Sequence, residues 1–336
     1  MKRNSDCIDL LKFILSIFVI SIHVELPSVL IYPYSRIAVP IYFVVFSYFS
    51  FKKINQYVRK KEKNAVLKNI ISRLMKLYSF WFIVLFPITF YIRKYWSFGI
   101  LGGMLKLLRD FLLGSTFQAS WFIMACVLGL LIVYILSEHL SNKALLFITV
   151  PIFILTTTIS QLNGFDNEIY TRYIKIFFEI CGYPYNNFLI SLIYIVLGKI
   201  IEENKNHNIF KSITCLILVC VGLSVEYYLL NKFDFFIKSC DSYFTLPLLT
   251  YYIVQCTLHI KFKIKLSIIL RKLSVLFYCL HSTVILFSNF IFEYLNVNDP
   301  FHVKLFIITL LFTTLISSLI LVLKNKIKMP FLSWCC

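Results

Sequence analysis

Long apolar runs, broken at short intervals by clusters of Lys and Arg, dominate this 336-residue chain. A helix needs about 20 apolar residues to cross a hydrocarbon core. Ten runs approach that length, at roughly 8–28, 36–52, 72–92, 119–137, 144–161, 185–202, 211–230, 243–260, 272–292 and 303–323. The second is short and carries Pro40. The pattern predicts an all-α fold, a polytopic transmembrane helical bundle of about ten spans. Before the fourth run, "SFGILGGMLKLLRDFLLGSTFQAS" is apolar but interrupted by Gly99, Gly102, Gly103, Lys106, Arg109 and Asp110. Residues 93–118 therefore read as an interfacial amphipathic connection. No soluble segment stands apart, so 1–336 reads as one integral membrane domain.

Composition sharpens this reading. The chain is 59% hydrophobic and 15% charged, with a mean hydropathy of +0.80, where an average soluble domain carries about 25% charge. A soluble fold of this length has no means of hiding so much apolar surface. The net charge of +18 sits between the runs and not in a basic, aromatic-interleaved stretch. It reads as topology, and no nucleic-acid partner is expected. With the N-terminus inside, the inner segments hold Lys2, Arg3, "KKINQYVRKKEKNAVLK", Lys143, Lys205, Lys211, "KFKIKLSIILRK" and "KNKIK". The outer segments hold Asp166, Glu168, Glu179, Asp234, Asp241, Glu293 and Asp299. This asymmetry predicts both termini in the cytoplasm. The start resembles a signal peptide but lacks a small-residue cleavage site, so it reads as an uncleaved first span. Ten cysteines show no CxxC pair and no zinc spacing, and no metal is expected.

The first run contains "KFILSIFVISIH". Eleven helical steps from Lys12 to His23 make about 1100°, within roughly 20° of three full turns, so both lie on one face about 16 Å apart. Ser16 shares the stripe, and Asp9 is an i,i+3 neighbour of Lys12. A polar stripe on a membrane helix faces protein or a wet cavity, or it sits near headgroups with Lys12 snorkelling. His23 lies deeper and is a candidate proton acceptor. Glu25 either orients it or sits in the outer interface. In the ninth run Ser274 and His281 are seven apart, with Tyr278 on the same side, a stripe that lines a cavity or packs. Glu226 is an intramembrane carboxylate in the seventh run, and so a site candidate.

Five stretches resemble the acyltransferase-3 family of integral membrane acyltransferases. "CIDLLKFILSIFVISIHV" is similar to its first-helix motif, a basic residue and then His after ten residues, with Lys12 where Arg is usual. "VPIYFVVFSYFSFKK" is similar to its second helix, with Ser47 but no Gly. "SRLMKLYSFW" resembles the Arg-x-x-Arg opening of the third, with Arg73 and Lys76 in those places. "SWFIMACVLGL" resembles the fourth-helix signature, and "KLSVLFYCLHSTVI" the late Ser…Tyr…His stretch. These follow family order from residue 6 to about 290. Before the sixth run the family often has Arg-Asn-Gly, where this chain has Tyr185, Asn186 and Asn187.

The resemblance implies an O-acyltransferase of the cell membrane, multi-pass and bacterial. It moves an acyl group, acetyl by default, from acetyl-CoA or another acyl-CoA to a hydroxyl of a surface polysaccharide, glycan or lipid-linked acceptor. It makes His23 the catalytic residue, as general base or transient acyl carrier. Lys12, Arg73 and Lys76 become candidates for the donor's phosphates. The same membrane fold is joined to racemase domains in some resistance proteins. The alternative is therefore a transporter of a small solute such as an amino acid.

Overall fold

The computed structural model describes residues 6–26, 32–114, 116–117, 120–162, 186–204, 208–232, 241–327 and 331–336. Lys2, Arg3, Asp166, Glu168, Glu179, Tyr185, Lys205 and Asp234, used in the sequence reading, lie outside them. Among the described residues the helices are α1 (Asp6–His23), α2 (Tyr32–Ser35), α3 (Ala38–Ile54), α4 (Lys60–Arg93), α5 (Gly99–Leu113), α6 (Ser120–Ser137), α7 (Asn142–Gln161), α8 (Phe188–Glu203), α9 (Ile209–Lys232), α10 (Leu246–His259), α11 (Ser267–Tyr294) and α12 (Val303–Lys326). A helix stands at each of the ten predicted runs. Seven helices among the described residues are long and apolar enough to cross a membrane: Pro33–Ile54, α4, α6, α7, α9, α11 and Val303–Lys324. The remaining three runs are α1, which bears Asp6, Asp9 and Lys12, and α8 and α10, with 16 and 14 residues.

Two differences from the expected boundaries have local causes. Helix α4 starts at Lys60, about a dozen residues before the predicted third span, because "KKEKNAVLK" is built of good helix formers. Its 34 residues extend about 51 Å, well beyond a hydrocarbon core of about 30 Å. Pro40 falls in the first turn of α3, where its missing N–H takes no hydrogen bond from the helix.

The chain forms two compact units, residues 1–42 with 256–336, and residues 43–255. In the first, α1 packs on α11, α11 on α12 and α12 on α1. Ile20, Val24, Phe277, Ile285 and Leu305 form its core, flanked by Phe13, Ile17 and Leu273.

In the second unit, α8 packs against α6 and α7, and α4 against α6. Residues 190–201 of α8 are buried without a break. Between membrane helices the oil-from-water driving force is absent, so close approach and hydrogen bonds must supply the attraction. Small residues provide both here. A Cβ at Gly198 would lie 2.4 Å from the Val44 carbonyl oxygen and 2.6 Å from Ser47 Cβ. Ser47 Oγ donates to the Ile195 carbonyl at 2.5 Å. A Cβ at Gly129 of α6 would lie 2.5 Å from Ser191 Oγ, and Ser191 Oγ donates to the Ala125 carbonyl at 3.1 Å. At the end of α8, Lys199 Nζ donates to Asn142 Oδ1 at 2.7 Å and pairs with Glu203 at 2.6 Å. Asn187 Oδ1 accepts from Leu189 N at 2.8 Å and caps the start of α8.

Candidate functional site

The stripe expected on α1 divides in two. Asp9 and Ser16 are buried, Lys12 is half-buried and His23 is exposed. The middle of the stripe meets protein, and its end is open. Tyr42, on the first turns of α3, donates its phenol to the Lys12 carbonyl at 2.5 Å. The hydroxyls of Ser16 and Ser274 also bond to that phenol. Each serine has one hydroxyl proton to divide between that phenol and its own helix, with Ser16 Oγ 2.6 Å from the Phe13 carbonyl and Ser274 Oγ 2.8 Å from the Arg271 carbonyl. A tyrosine ring thus joins the polar faces of α1 and α11.

The line continues through aromatic rings. Tyr42 and Tyr278 have centroids 6.2 Å apart, Tyr278 and His281 5.9 Å, and His281 and His23 4.9 Å with planes inclined by 31°. His281 is 1% exposed. Its Nδ1 lies 2.8 Å from the Tyr278 carbonyl and 3.2 Å from that of Phe277. A carbonyl accepts only from N–H, so Nδ1 carries the proton and Nε2 keeps a lone pair. That Nε2 is buried and has no hydrogen-bond partner among the described residues. An open imidazole therefore stands against a buried one whose ring is fixed by its own helix. Arg36, in the turn after α2, is an electrostatic neighbour of His23.

One unit thus brings together Asp9, Lys12, Ser16, His23, Ser274, Tyr278 and His281. Glu25 follows α1 with φ of 59° and is exposed. Arg73 and Lys76 are exposed on α4, in the other unit, and Glu226 is also there. Glu226 Oε1 accepts from Phe244 N at 2.6 Å and Gln161 Nε2 at 3.1 Å, and its Oε2 accepts from Thr245 N at 3.1 Å and Thr245 Oγ1 at 2.9 Å. Those backbone N–H groups lead into α10, where a carboxylate suits both the unsatisfied donors and the helix dipole. Glu226→Ala is expected to destabilise the protein by about 1–2 kcal/mol, as for a lost helix cap, read as a lower melting temperature in detergent. Sequence reasoning missed Tyr42 and Arg36. Tyr42 is one of 21 tyrosines in a run with no polar period, and nothing in the sequence separates it from the others. Among the described residues no three His, Cys, Asp or Glu side chains converge as metal ligands.

The family described as acyltransferase domain, acyltransferase-3, matches residues 5–323. That match covers nearly the whole chain, and the protein belongs to this family of membrane acyltransferases. An amino-acid racemase of Enterococcus faecalis is 21% identical over 350 residues, covering 98% of this chain. The chain spans about half of that relative's length, 49%. No solved structure matches.

Proposed function

We propose that the protein is a membrane O-acyltransferase that takes an acyl group, acetyl by preference, from a cytoplasmic acyl-CoA. The acceptor is a hydroxyl of a cell-surface polysaccharide or related lipid-linked envelope molecule, at a bacterial plasma membrane. The reading includes a ten-span, single-domain arrangement, which rests on the ten apolar runs, with both termini in the cytoplasm, which rests on the distribution of Lys and Arg. One observation carries the chemistry: exposed His23 with its ring 4.9 Å from that of buried, backbone-anchored His281 at the end of a polar line shared by α1 and α11.

In the reaction, the acceptor hydroxyl gives its proton to a ring nitrogen of His23 as its oxygen attacks the thioester carbonyl. The new C–O bond forms, the C–S bond breaks, and the imidazolium returns the proton to the departing sulfur. In the relay version a neutral ring nitrogen of His23 attacks the thioester carbonyl, the C–S bond breaks and CoA leaves as thiolate, and the hydroxyl then takes the acyl group as the C–N bond breaks, its proton passing to the thiolate. His281 fixes the ring plane of His23. Lys12 in one unit, and Arg73 and Lys76 in the other, are each cationic candidates for the donor's phosphates.

The named relative favours a second reading, in which the chain carries an amino acid across the membrane. Proteoliposomes given radiolabelled acetyl-CoA separate the two. Release of free CoA and labelled acceptor, lost in His23→Ala, supports the transferase. Vectorial uptake of a labelled amino acid with the thioester intact supports the carrier and overturns the first reading.

A further inference from the structure

The connection between α4 and α5 is built as a bracket for cations. Lys94, at φ 49°, reverses the chain after α4, and a 3-10 turn over Tyr95–Phe98 leads into α5. Helix α5 folds back closely on this turn, where a Cβ at Gly103 would lie 2.6 Å from the Tyr95 carbonyl oxygen. Lys106 Nζ donates to the carbonyl of Arg93 at 3.2 Å and sits 4.0 Å from the centre of the Phe98 ring. Asp110 is fully buried. Its Oδ1 accepts from Arg109 Nε at 3.0 Å and Nη2 at 2.6 Å, and its Oδ2 accepts from the Tyr95 hydroxyl at 2.8 Å. Burial, and then the bonded Asp110 carboxylate, push the Tyr95 phenol up, so it remains the donor.

Arg109 pairs with the Asp110 carboxylate, Lys106 has Asp110, Arg109 and Arg93 as charged neighbours, and Lys94 follows Arg93 in the same turn. Arg93 and Lys94 are exposed, and the Arg109 side chain is 39% exposed. Beside them α5 presents Ile100, Leu101, Met104, Leu105 and Leu108, all exposed, with Ile100 at 88%. Such a face is unfavourable in water and at home in acyl chains. Helix α4 is long and apolar enough to cross the membrane, and its apolar run ends at Arg93, where cations of a spanning helix meet the headgroups. A free phosphate would use the cations and leave the aliphatic face without a partner. A phospholipid uses both.

We propose that this bracket binds the phosphate of an anionic phospholipid, with its acyl chains along the aliphatic face of α5. The inference is independent of the reaction assigned above. Each cation near an anionic surface contributes roughly a fivefold enrichment, so removing two lowers affinity by about 25-fold.

Trp96, half-exposed in the same turn, is the natural reporter. Nanodiscs of phosphatidylcholine are doped with equal mole fractions of either brominated phosphatidylglycerol or brominated phosphatidylcholine, and fluorescence quenching is measured. The Trp96 contribution is the difference between the wild type and Trp96→Phe. The expected result is stronger quenching of Trp96 by the anionic lipid, weakened in Arg93→Gln/Lys94→Gln and abolished in Lys106→Gln/Arg109→Gln. Lys53→Gln/Lys61→Gln, which removes two exposed cations elsewhere, leaves the preference intact. The double variant Arg93→Gln/Lys94→Gln spares the Asp110 clasp, so it stays informative if loss of Arg109 disturbs folding. Equal quenching by the two lipids in the wild type overturns the proposal, as does an unchanged preference in Arg93→Gln/Lys94→Gln. Abolition by millimolar inorganic phosphate assigns the site to free phosphate and also overturns it.

Discussion

His23→Ala is expected to lower acyl transfer by about 10²–10⁴-fold, the range that one positioned general base supplies, with little change in stability. The side chain is exposed, and the substitution therefore opens no core cavity. Surface changes of this kind usually stay within about 0.5 kcal/mol. Its neighbour is more sensitive, because His281 lies in the packed interior of the unit. His281→Asn keeps a short N–H donor for the Tyr278 carbonyl while removing Nε2 and the ring that packs against His23. A partial fall in kcat with KM unchanged is expected there, since the reacting imidazole survives without its orienting surface. Single-turnover reactions quenched in denaturant measure which role His23 plays. Label retained on the wild-type chain and absent from His23→Ala marks a carrier, and label that never appears on the chain marks a base. An unaltered transfer rate in His23→Ala removes the imidazole from the chemistry altogether.

The largest structural effect is expected from Gly198→Leu. The Cβ alone would meet the Val44 carbonyl at 2.4 Å, and a backbone atom cannot turn aside as a side chain does. Either α3 and α8 separate, losing the Ser47 to Ile195 hydrogen bond, or the local backbone strains. Overpacking of this kind costs about 1–3 kcal/mol and occasionally more. Gly198→Ala should fall in the same direction with a smaller shift. Adding Ser47→Gly to Gly198→Ala should relieve only the part of the clash due to the serine, because the Val44 oxygen remains. Gly222 of α9 is the control. A Cβ there meets only Thr245 Cγ2, at 3.6 Å, so Gly222→Ala is expected to be neutral or to gain about 0.5–1 kcal/mol of helix propensity. Melting temperatures of these four variants and the wild type in one detergent decide the matter.

The positions of the helices were legible in the sequence because bilayer thickness and the 1.5 Å rise leave few choices for an apolar run. The start of α4 was not, since Lys and Glu there reported membrane topology and concealed their good helix propensity. The site was legible in part. The spacing of Lys12, Ser16 and His23 put three groups on one side of α1, and the seven-residue interval from Ser274 to His281 did the same on α11. That the two stripes meet through Tyr42 is a tertiary fact with no periodic signal. Glu226 shows the opposite limit. An acidic residue in an apolar run reads as chemistry, yet its partners are backbone N–H groups 18 and 19 residues away at another helix's start.

The burial of α8 on all sides bears on biogenesis. A segment of 16 residues carrying Lys199 is a poor substrate for independent partitioning from the translocation machinery into lipid. It needs α3, α6 and α7 already in place as its solvent, and those three precede it in the order of synthesis. Maturation of this half of the protein is therefore sequential, with earlier helices acting as an intramolecular receptor for a later one.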